Sequence, residues 1–371
     1  MSVNVLQSYE DAANILKVSY ERYVQDGISS SALRSSGLVV EESIPSNTGA
    51  ENYRKERLSN DQLGSIVPEG GKGVSHQSQE GYSKKSTAKT LKDIIEITME
   101  MRDLSKNQNE VLRMITDFGN MPGRRMEFEL NMYLSQGFNS SYINSDGDTE
   151  DITVGDGLSV WNTAHTLTGS NITYRNIVPF NPSLSRPALE LAEDVYIRNF
   201  YDNKGNLMGS AKLDTIVTTQ SPRNINIVRE YLQATSAVNP FPFVSAGGNT
   251  PAGSATLNTP GTNQALMQSP GVGNVYQGRF RHVILPFLDH DPVSKGYTKN
   301  ASKTNYWILA QSNFSSFHLD IFKPVTFTNP SAGSSGEDIH TGNWVYRADG
   351  IYATSMVSSK NMIISRGDGQ A

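Results

Sequence analysis

The first 90 residues carry few regularly spaced apolar positions. Residues 1–40 show a weak helical pattern, and we expect them to lie on another surface or to extend as an arm, because alone they could bury little. Residues 41–90 are polar, rich in glycine and serine, and contain no strong core signal. A stretch of this length is unusual inside a compact domain and indicates either disorder or a projecting loop that finds its partner elsewhere. The apolar positions of the first segment recur at spacings of three and four: Ala12, Ile15, Leu16, Tyr20 and Tyr23.

A strongly patterned region follows. Apolar and polar residues alternate over 95–102, which predicts a strand with one apolar and one polar face. Ser105 and Gln108 have capping-box spacing and mark the start of a helix. We expect this helix to cover 105–136 and to be broken or kinked by the glycines and the proline of 119–123. At 1.5 Å per residue it would be roughly 48 Å long, which is longer than a small domain is wide.

The rest of the chain alternates helices with strands and predicts an α+β fold. Ser185 and Pro187 open a helix that ends at Phe200, and a second helix follows Ser221. Residues 236–276 are rich in Gly, Pro, Ser, Asn and Thr, and we interpret them as an inserted surface loop. A turn is predicted at 203–206, and strands are predicted at 213–219, 279–285, 305–311, 316–323, 343–357 and 361–366.

Composition narrows the function classes. The 371 residues include no cysteine, which excludes disulfides, thiolate metal sites and cysteine nucleophiles. The net charge is −5 and basic residues form no long block, so the chain lacks the footprint of a tight nucleic-acid binder. Residues 1–20 lack the pattern of a signal peptide, and no stretch approaches 18 consecutive apolar residues. We therefore expect no membrane span.

No catalytic or metal-binding constellation stands out. The acidic loop with Asp146, Asp148 and Glu150 fails the calcium-loop pattern, because neither counting frame places glycine at the sixth position or glutamate at the twelfth. The six histidines never approach metal-ligand spacing, and His282 is interpreted as a satisfied strand histidine. Walker A, GxGxxG and GxSxG motifs in the required contexts are absent from the sequence. We predict no enzymatic activity, no cofactor and no bound metal.

The segment Asp156–Thr168 resembles a recurrent stretch of tailed-bacteriophage major capsid proteins, particularly the Mu-like major head subunit group. Gly157, Leu158 and His165 match that stretch, with Trp161 in place of the usual phenylalanine. The order of the downstream helices and strands is also similar, and the resemblance spans roughly residues 40–366. It implies the HK-ninety-seven-type phage major capsid fold.

That fold divides the chain into named parts. The predicted break in the long helix and the long inserted loop are departures from the family pattern. The resemblance implies the following boundaries: an N-terminal arm at 1–40, an E-loop at 41–90, a P-domain at 91–184 with its spine helix at 105–136, an A-domain at 185–320 with the inserted loop 236–276, and C-terminal strands at 321–371 that return to the P-domain and A-domain.

The same resemblance implies a function in assembly. Copies would form pentamers and hexamers of an icosahedral head that encloses double-stranded DNA without sequence specificity, as part of the virion capsid assembled in the host bacterial cytoplasm. Portal, scaffolding and decoration proteins would be its partners, without a membrane. No cue for proteolytic maturation is seen, and no lysine–asparagine cross-link can be assigned. An encapsulin-type cellular compartment of the same fold is the first alternative, and a β-rich surface binding protein is the second.

Cations of the polar segment are the candidate contact residues between subunits. They allow two interpretations, a solvated loop or a loop that pairs with acidic rims of neighbouring copies. The candidates are Arg54, Lys55, Arg57, Lys72, Lys84 and Lys85.

Overall fold

The computed structural model describes most of the chain. The described residues exclude Arg57, residues 203 and 204 of the turn predicted at 203–206, and all of the predicted loop 236–276 except Tyr276. The described residues are 9–26, 33–45, 51–56, 66–73, 80–103, 108–168, 171–202, 205–233, 276–328 and 341–370.

These residues form five α-helices and sixteen strands. The helices are α1 (Tyr9–Asp26), α2 (Met99–Asp103), α3 (Gln108–Ser135), α4 (Arg186–Asn199) and α5 (Pro222–Gln233). The strands are β1 (Val40–Ser43), β2 (Glu51–Lys55), β3 (Ser83–Thr87), β4 (Lys89–Ile97), β5 (Ser141–Ile143), β6 (Thr149–Asp151), β7 (His165–Thr166), β8 (Thr173–Tyr174), β9 (Thr215–Thr219), β10 (Arg281–Leu285), β11 (His290–Val293), β12 (Gly296–Lys299), β13 (Trp307–Ala310), β14 (Phe317–Thr328), β15 (Trp344–Met356) and β16 (Met362–Ser365). The expected mixture of helix and sheet is confirmed.

The first of two four-stranded sheets has the order β1-β14-β15-β4. β1 runs parallel to β14, whereas β15 runs antiparallel to both of its neighbours, β14 and β4. Helix α3 packs against this sheet, where the Tyr133 ring lies 5.3 Å from Phe317 and its hydroxyl donates to the Thr354 carbonyl at 2.9 Å. The long helix therefore forms the spine of the first apolar core.

The second sheet has the order β10-β9-β13-β16 and separates two apolar cores. Alternate residues of its strands face opposite sides: Ile308 and Ile364 belong to the first core, whereas Trp307, Leu309 and Ile363 belong to the second. Helices α4 and α5 cover the second core. Burial on both faces explains why these short strands read as continuous apolar runs and not as alternating ones.

Helix α3 corrects the expected break at 119–123. It continues through Pro122 for 28 residues, which corresponds to about 42 Å. Gly119 serves close packing, because a Cβ there would lie 2.8 Å from the Leu16 carbonyl oxygen and 2.9 Å from the Ser19 Cβ. A glycine that suggested helix breaking in the sequence thus lets α1 approach α3.

Two further elements differ from the sequence prediction. The strand expected over 95–102 ends at Ile97, because the Thr98 hydroxyl accepts a hydrogen bond from the Met101 amide at 3.2 Å and opens the short helix α2. The β11–β12 hairpin was not predicted from the sequence, since its short strands contain proline and several exposed positions.

Candidate assembly arm

A two-stranded hairpin projects from the first sheet. β2 and β3 pair in antiparallel register from Glu51–Thr87 to Lys55–Ser83. We define the arm as the described residues 51–56, 66–73 and 80–87. None of them belongs to either apolar core, and Ser86 alone among them is buried. A strand pair without core residues needs another kind of attachment, since an isolated hairpin is at best marginally stable in water.

A single buried carboxylate supplies the main attachment. Asp320, on the central strand β14, is fully buried and accepts hydrogen bonds from three residues of the arm. Arg54 donates through Nε at 3.1 Å and Nη2 at 2.5 Å, Asn52 donates at 3.2 Å, and Ser86 donates at 2.7 Å. Arg54 also pairs with Glu42 of β1. Both strands of the arm are thereby fixed to the first sheet by charge-assisted hydrogen bonds.

A second set of polar contacts lies further along the arm. The Lys84 ammonium donates to Asp151 at 2.6 Å and to Thr153 at 2.8 Å. The Tyr82 hydroxyl lies 2.9 Å from that of Thr166. A Cβ on Gly155 would lie 2.8 Å from the Tyr82 Cβ, so glycine permits this close approach. The arm therefore lies along the surface that follows β6.

Glu56, which directly follows β2, forms the last of these polar contacts. Its carboxylate accepts a hydrogen bond from the Thr168 hydroxyl at 3.3 Å, and its amide donates to the Tyr82 carbonyl at 2.7 Å. Burial raises the pKa of Glu56, although the positive charge of Lys360 opposes that shift. The carboxyl thus prefers its neutral form more than a solvated glutamate does.

Beyond these contacts, the described part of the arm faces solvent. Every residue from Ile66 to Gly73 is exposed, with Ile66 99% exposed and Val67 41% exposed. The Gly71 amide donates to the Pro68 carbonyl at 2.8 Å, which closes a turn within this tip. An apolar pair held away from both cores of its own chain is a surface that another molecule can cover.

Four of the six predicted contact cations fall into two groups. Arg54 and Lys84 are mostly buried and bind carboxylates of their own chain. Lys55 and Lys85 form exposed ion pairs within the arm, with Glu80 and Glu51 respectively. Lys72 is exposed at the tip, and Arg57 lies outside the described residues. Contacts of any of the six with a neighbouring subunit stay a prediction.

Asp320 was not singled out from the sequence. A signal was present, because an acidic residue follows Phe317 and Leu319 at a position where the strand is buried on both sides. A buried carboxylate requires partners, but nothing in the spacing identifies residues 234 to 268 positions earlier as its donors.

The segment that carries the family resemblance stabilises the end of helix α3. Trp161 is buried, and its indole N–H donates to the Leu134 carbonyl at 2.8 Å. His165 is fully buried, with Nδ1 2.8 Å from Asp156 and its ring stacked on Tyr174 at 5.0 Å. Burial alone would raise the pKa of Asp156, but the hydrogen bond and charge of His165, together with hydrogen bonds from the Leu158 and Thr166 amides, outweigh burial and lower that pKa. These residues bind one another and the helix.

The histidine that the sequence analysis singled out makes a structural contact. His282 pairs its Nε2 with the Thr218 hydroxyl at 2.9 Å, which confirms the satisfied strand histidine. Within the described ranges, no group of three or more His, Asp or Glu side chains could hold a metal ion. In that same part of the chain, no helix is both long and apolar enough to cross a membrane.

A cleft of about 660 Å³ lies between α3, β4 and the β5–β6 turn. Five of the charged residues that line it are paired with one another. Lys89 contacts Glu129 at 3.1 Å and Glu150 at 2.8 Å, and Arg125 contacts Glu129 at 2.9 Å and Asp146 at 2.7 Å. The acidic loop expected to be solvated is the turn between β5 and β6, where Asp146 and Asp148 are exposed and their amides donate to the Asn144 side-chain oxygen. This pairing favours a structural role for the cleft.

No protein-family model matches the sequence, and no curated protein matches it. Similar solved structures include the mature capsid of bacteriophage PhiM1, with a TM-score of 0.47, 9% identity, and coverage of 89% of this chain and 85% of that chain. The capsid of Ralstonia phage GP4 has a TM-score of 0.47, 11% identity, and coverage of 88% and 87%. A virus-like particle from Pyrococcus furiosus has a TM-score of 0.42, 8% identity, and coverage of 95% and 98%. All three similarities have TM-scores below 0.5.

Proposed function

We propose that this chain is the major capsid protein of a tailed phage, which self-assembles into the icosahedral head around double-stranded DNA. The arm is the observation that carries the proposal. It contributes nothing to either core, is fastened by polar contacts, and presents exposed apolar residues at its tip. A second copy of the chain that packs on the arm would bury these exposed apolar residues. The proposed role is structural and not catalytic.

The domain boundaries fit the proposal as follows. The arm and its flanking residues are the E-loop of 41–90, and α3 is the spine helix. The first sheet with α3 forms the P-domain, and the second sheet with α4 and α5 forms the A-domain. Helix α1 packs on α3 within the same chain, so at least 9–26 of the N-terminal arm of 1–40 are part of the P-domain surface.

Assembly through such arms needs only weak individual contacts. Burying Ile66 and Val67 on a neighbour would contribute about 1–3 kcal/mol per contact, given roughly 25 cal/mol for each Å² of apolar area buried. Each copy in a closed shell makes several contacts of this kind, and ring closure multiplies their effect. Portal, scaffolding and decoration proteins complete the proposed partners, and packaged DNA would meet the inner wall without sequence specificity. Assembly would take place in the host bacterial cytoplasm.

The test is assembly of the purified full-length chain, observed by negative-stain electron microscopy over a range of salt and protein concentrations. Closed shells, or rings of five and six subunits, are the expected result. Ile66→Asp combined with Val67→Asp should leave the melting temperature of the subunit unchanged and abolish the particles. A control, Leu207→Asp, changes an apolar residue away from the arm that is 58% exposed, and this variant should assemble.

A wild-type chain that stays monomeric under every condition would overturn the proposal. Particles that form equally well with the double tip substitution would retain self-assembly but remove the arm from it. Particle contents distinguish the two shell types, because a phage head packages DNA with its portal whereas an encapsulin-type compartment retains protein cargo.

A further inference from the structure

A strained turn on the second sheet displays an aromatic ring to solvent. Phe180 has φ 63° and the next residue, Asn181, has φ 40°. Left-handed backbone is a genuine outlier for a bulky residue and costs free energy that glycine would not. Its own chain leaves most of Phe180 uncovered, because the residue is 71% exposed.

The C-terminal segment holds this turn in place. The Asn181 side-chain oxygen accepts a hydrogen bond from the Arg366 amide at 3.1 Å, and its side-chain nitrogen donates to the Gln370 carbonyl at 2.9 Å. The Asn181 carbonyl accepts from the Gly369 amide at 2.9 Å. Asparagine is among the residues that best tolerate the left-handed region, so the clamp uses a suitable residue and leaves the strain at Phe180.

The clamp is itself fixed on the body of the protein. The Ser183 hydroxyl donates to the Gly367 carbonyl at 2.9 Å. Gly367 has φ 69°, and a Cβ there would lie 2.5 Å from the Asn305 carbonyl oxygen. The guanidinium of Arg366 lies 3.9 Å from the centre of the Phe138 ring. The strained turn is therefore over-determined by its surroundings, which is the condition under which such backbone persists.

The turn lies at an edge of the second sheet. Ile177 forms a parallel bridge with Ile364, and the Val178 amide donates to the same residue's carbonyl at 2.8 Å. These residues extend the sheet by one short segment beyond β16, and Phe180 follows directly. In a shell of copies joined side by side, a sheet edge is a place that a neighbour can approach.

We propose that Phe180 is an anchor residue in a contact with a second copy of this chain, which covers its ring. Buried aromatic side chains dominate the energetics of protein interfaces, and a backbone that is already fixed loses little conformational entropy on binding. This inference rests on the proposed function, because it requires copies that assemble. It adds a contact that is separate from the arm.

The test compares Phe180→Gly, Phe180→Ala and Phe180→Tyr in the full-length chain. Phe180→Gly relieves the backbone strain, so the melting temperature of the unassembled subunit should rise by roughly 2 °C. It also removes the ring, so the protein concentration required for assembly, measured by light scattering, should rise about tenfold. Phe180→Ala should raise that concentration equally without the gain in stability. Phe180→Tyr keeps the ring and should assemble within about twofold of wild type.

A strain control completes the experiment. Lys295 also has a positive φ, of 55°, but carries no aromatic ring. Lys295→Gly should raise the melting temperature and leave assembly unchanged. The inference is wrong if wild type forms shells and both Phe180→Gly and Phe180→Ala assemble at the wild-type concentration. If wild type forms no shells, the proposed function itself fails, and this inference fails with it.

Discussion

Two antiparallel strand pairs of this protein are held in opposite ways. β14 and β15 lie in the first sheet, and most of β15 is buried in the first apolar core. β2 and β3 contribute no side chain to that core and are fixed by Asp320 and Lys84. An apolar core unfolds cooperatively, whereas individual polar contacts can break separately. The arm can therefore detach while the body stays folded.

The largest expected effect comes from the apolar pair. Phe317→Ala removes a buried ring that packs on Tyr133, and such truncations cost about 3–5 kcal/mol. Chemical denaturation should show the whole transition at lower urea, with the arm and the body unfolding together. An unfolding free energy within about 1 kcal/mol of wild type would contradict the assignment of Phe317 to a cooperative core.

Asp320→Ala is the corresponding change for the arm. It leaves Arg54, Asn52 and Ser86 without their shared acceptor, at a cost of about 2–3 kcal/mol. Amide hydrogen exchange should rise across β2 and β3 and stay slow in α3. Glu42→Gln is the control, because it alters the exposed partner of Arg54 and should cost under about 1 kcal/mol. Equal loss of protection in α3 would show that the arm is not separately attached.

Acid distinguishes the second sheet from the arm. Burial, with the positive charge of Arg229, lowers the pKa of His282 to about 4. A base with a lowered pKa favours the neutral folded form, so stability falls as pH drops from about 6.5 towards 4, by on the order of 1–2 kcal/mol. Burial raises the pKa of Asp151, but Lys84 and Thr153 outweigh it, and the net pKa lies below its usual value. The stability from that contact is lost only as pH falls below about 4.

Thermal melts between pH 7 and pH 4.5 check this order. The body should weaken across that window. His282→Gln should reduce the dependence, and the remainder comes from His318 of β14, whose pKa burial and the charge of Arg54 also lower. A wild-type melting temperature that does not change over the window would contradict the lowered pKa of His282.

The smallest expected effect belongs to the exposed ion pair of the arm. Lys85 and Glu51 form a diagonal ion pair between β3 and β2, with both side chains exposed to water. Lys85→Ala should leave the melting temperature and the exchange rates of the arm unchanged within error, because solvent screens such pairs. A marked loss of protection would mean that the exposed charges, and not Asp320, hold the arm.

Much of the fold could be predicted from the sequence wherever the residue pattern within one helix or strand determines its structure. The capped helix at Ser185 is confirmed, with the Ser185 hydroxyl accepting from the Ala188 amide at 3.3 Å. The alternation of Ile95 and Ile97 with Glu96 is confirmed in β4. In these places local propensity and tertiary packing agree.

The features that the sequence did not reveal depend on partners distant in sequence. Gly119 suggested a break, and only the approach of α1 shows why glycine is there. Asp320 has no local pattern that would identify Arg54 as its partner. The exposure of Phe180 and its backbone conformation likewise depend on the tail that clamps Asn181. Sequence patterns report periodicity, whereas these sites depend on which surfaces meet.

The pairing of β1 with β14 and of β4 with β15 joins the beginning of the chain to its end. The second sheet likewise requires β16, and the turn at Asn181 requires residues 366–370. A ribosome therefore releases nearly the whole polypeptide before either core can close, and such long-range pairing is slow. Prematurely terminated chains lack these strands and cannot complete either sheet. The topology thereby makes the folding of the whole chain depend on strands β14 to β16.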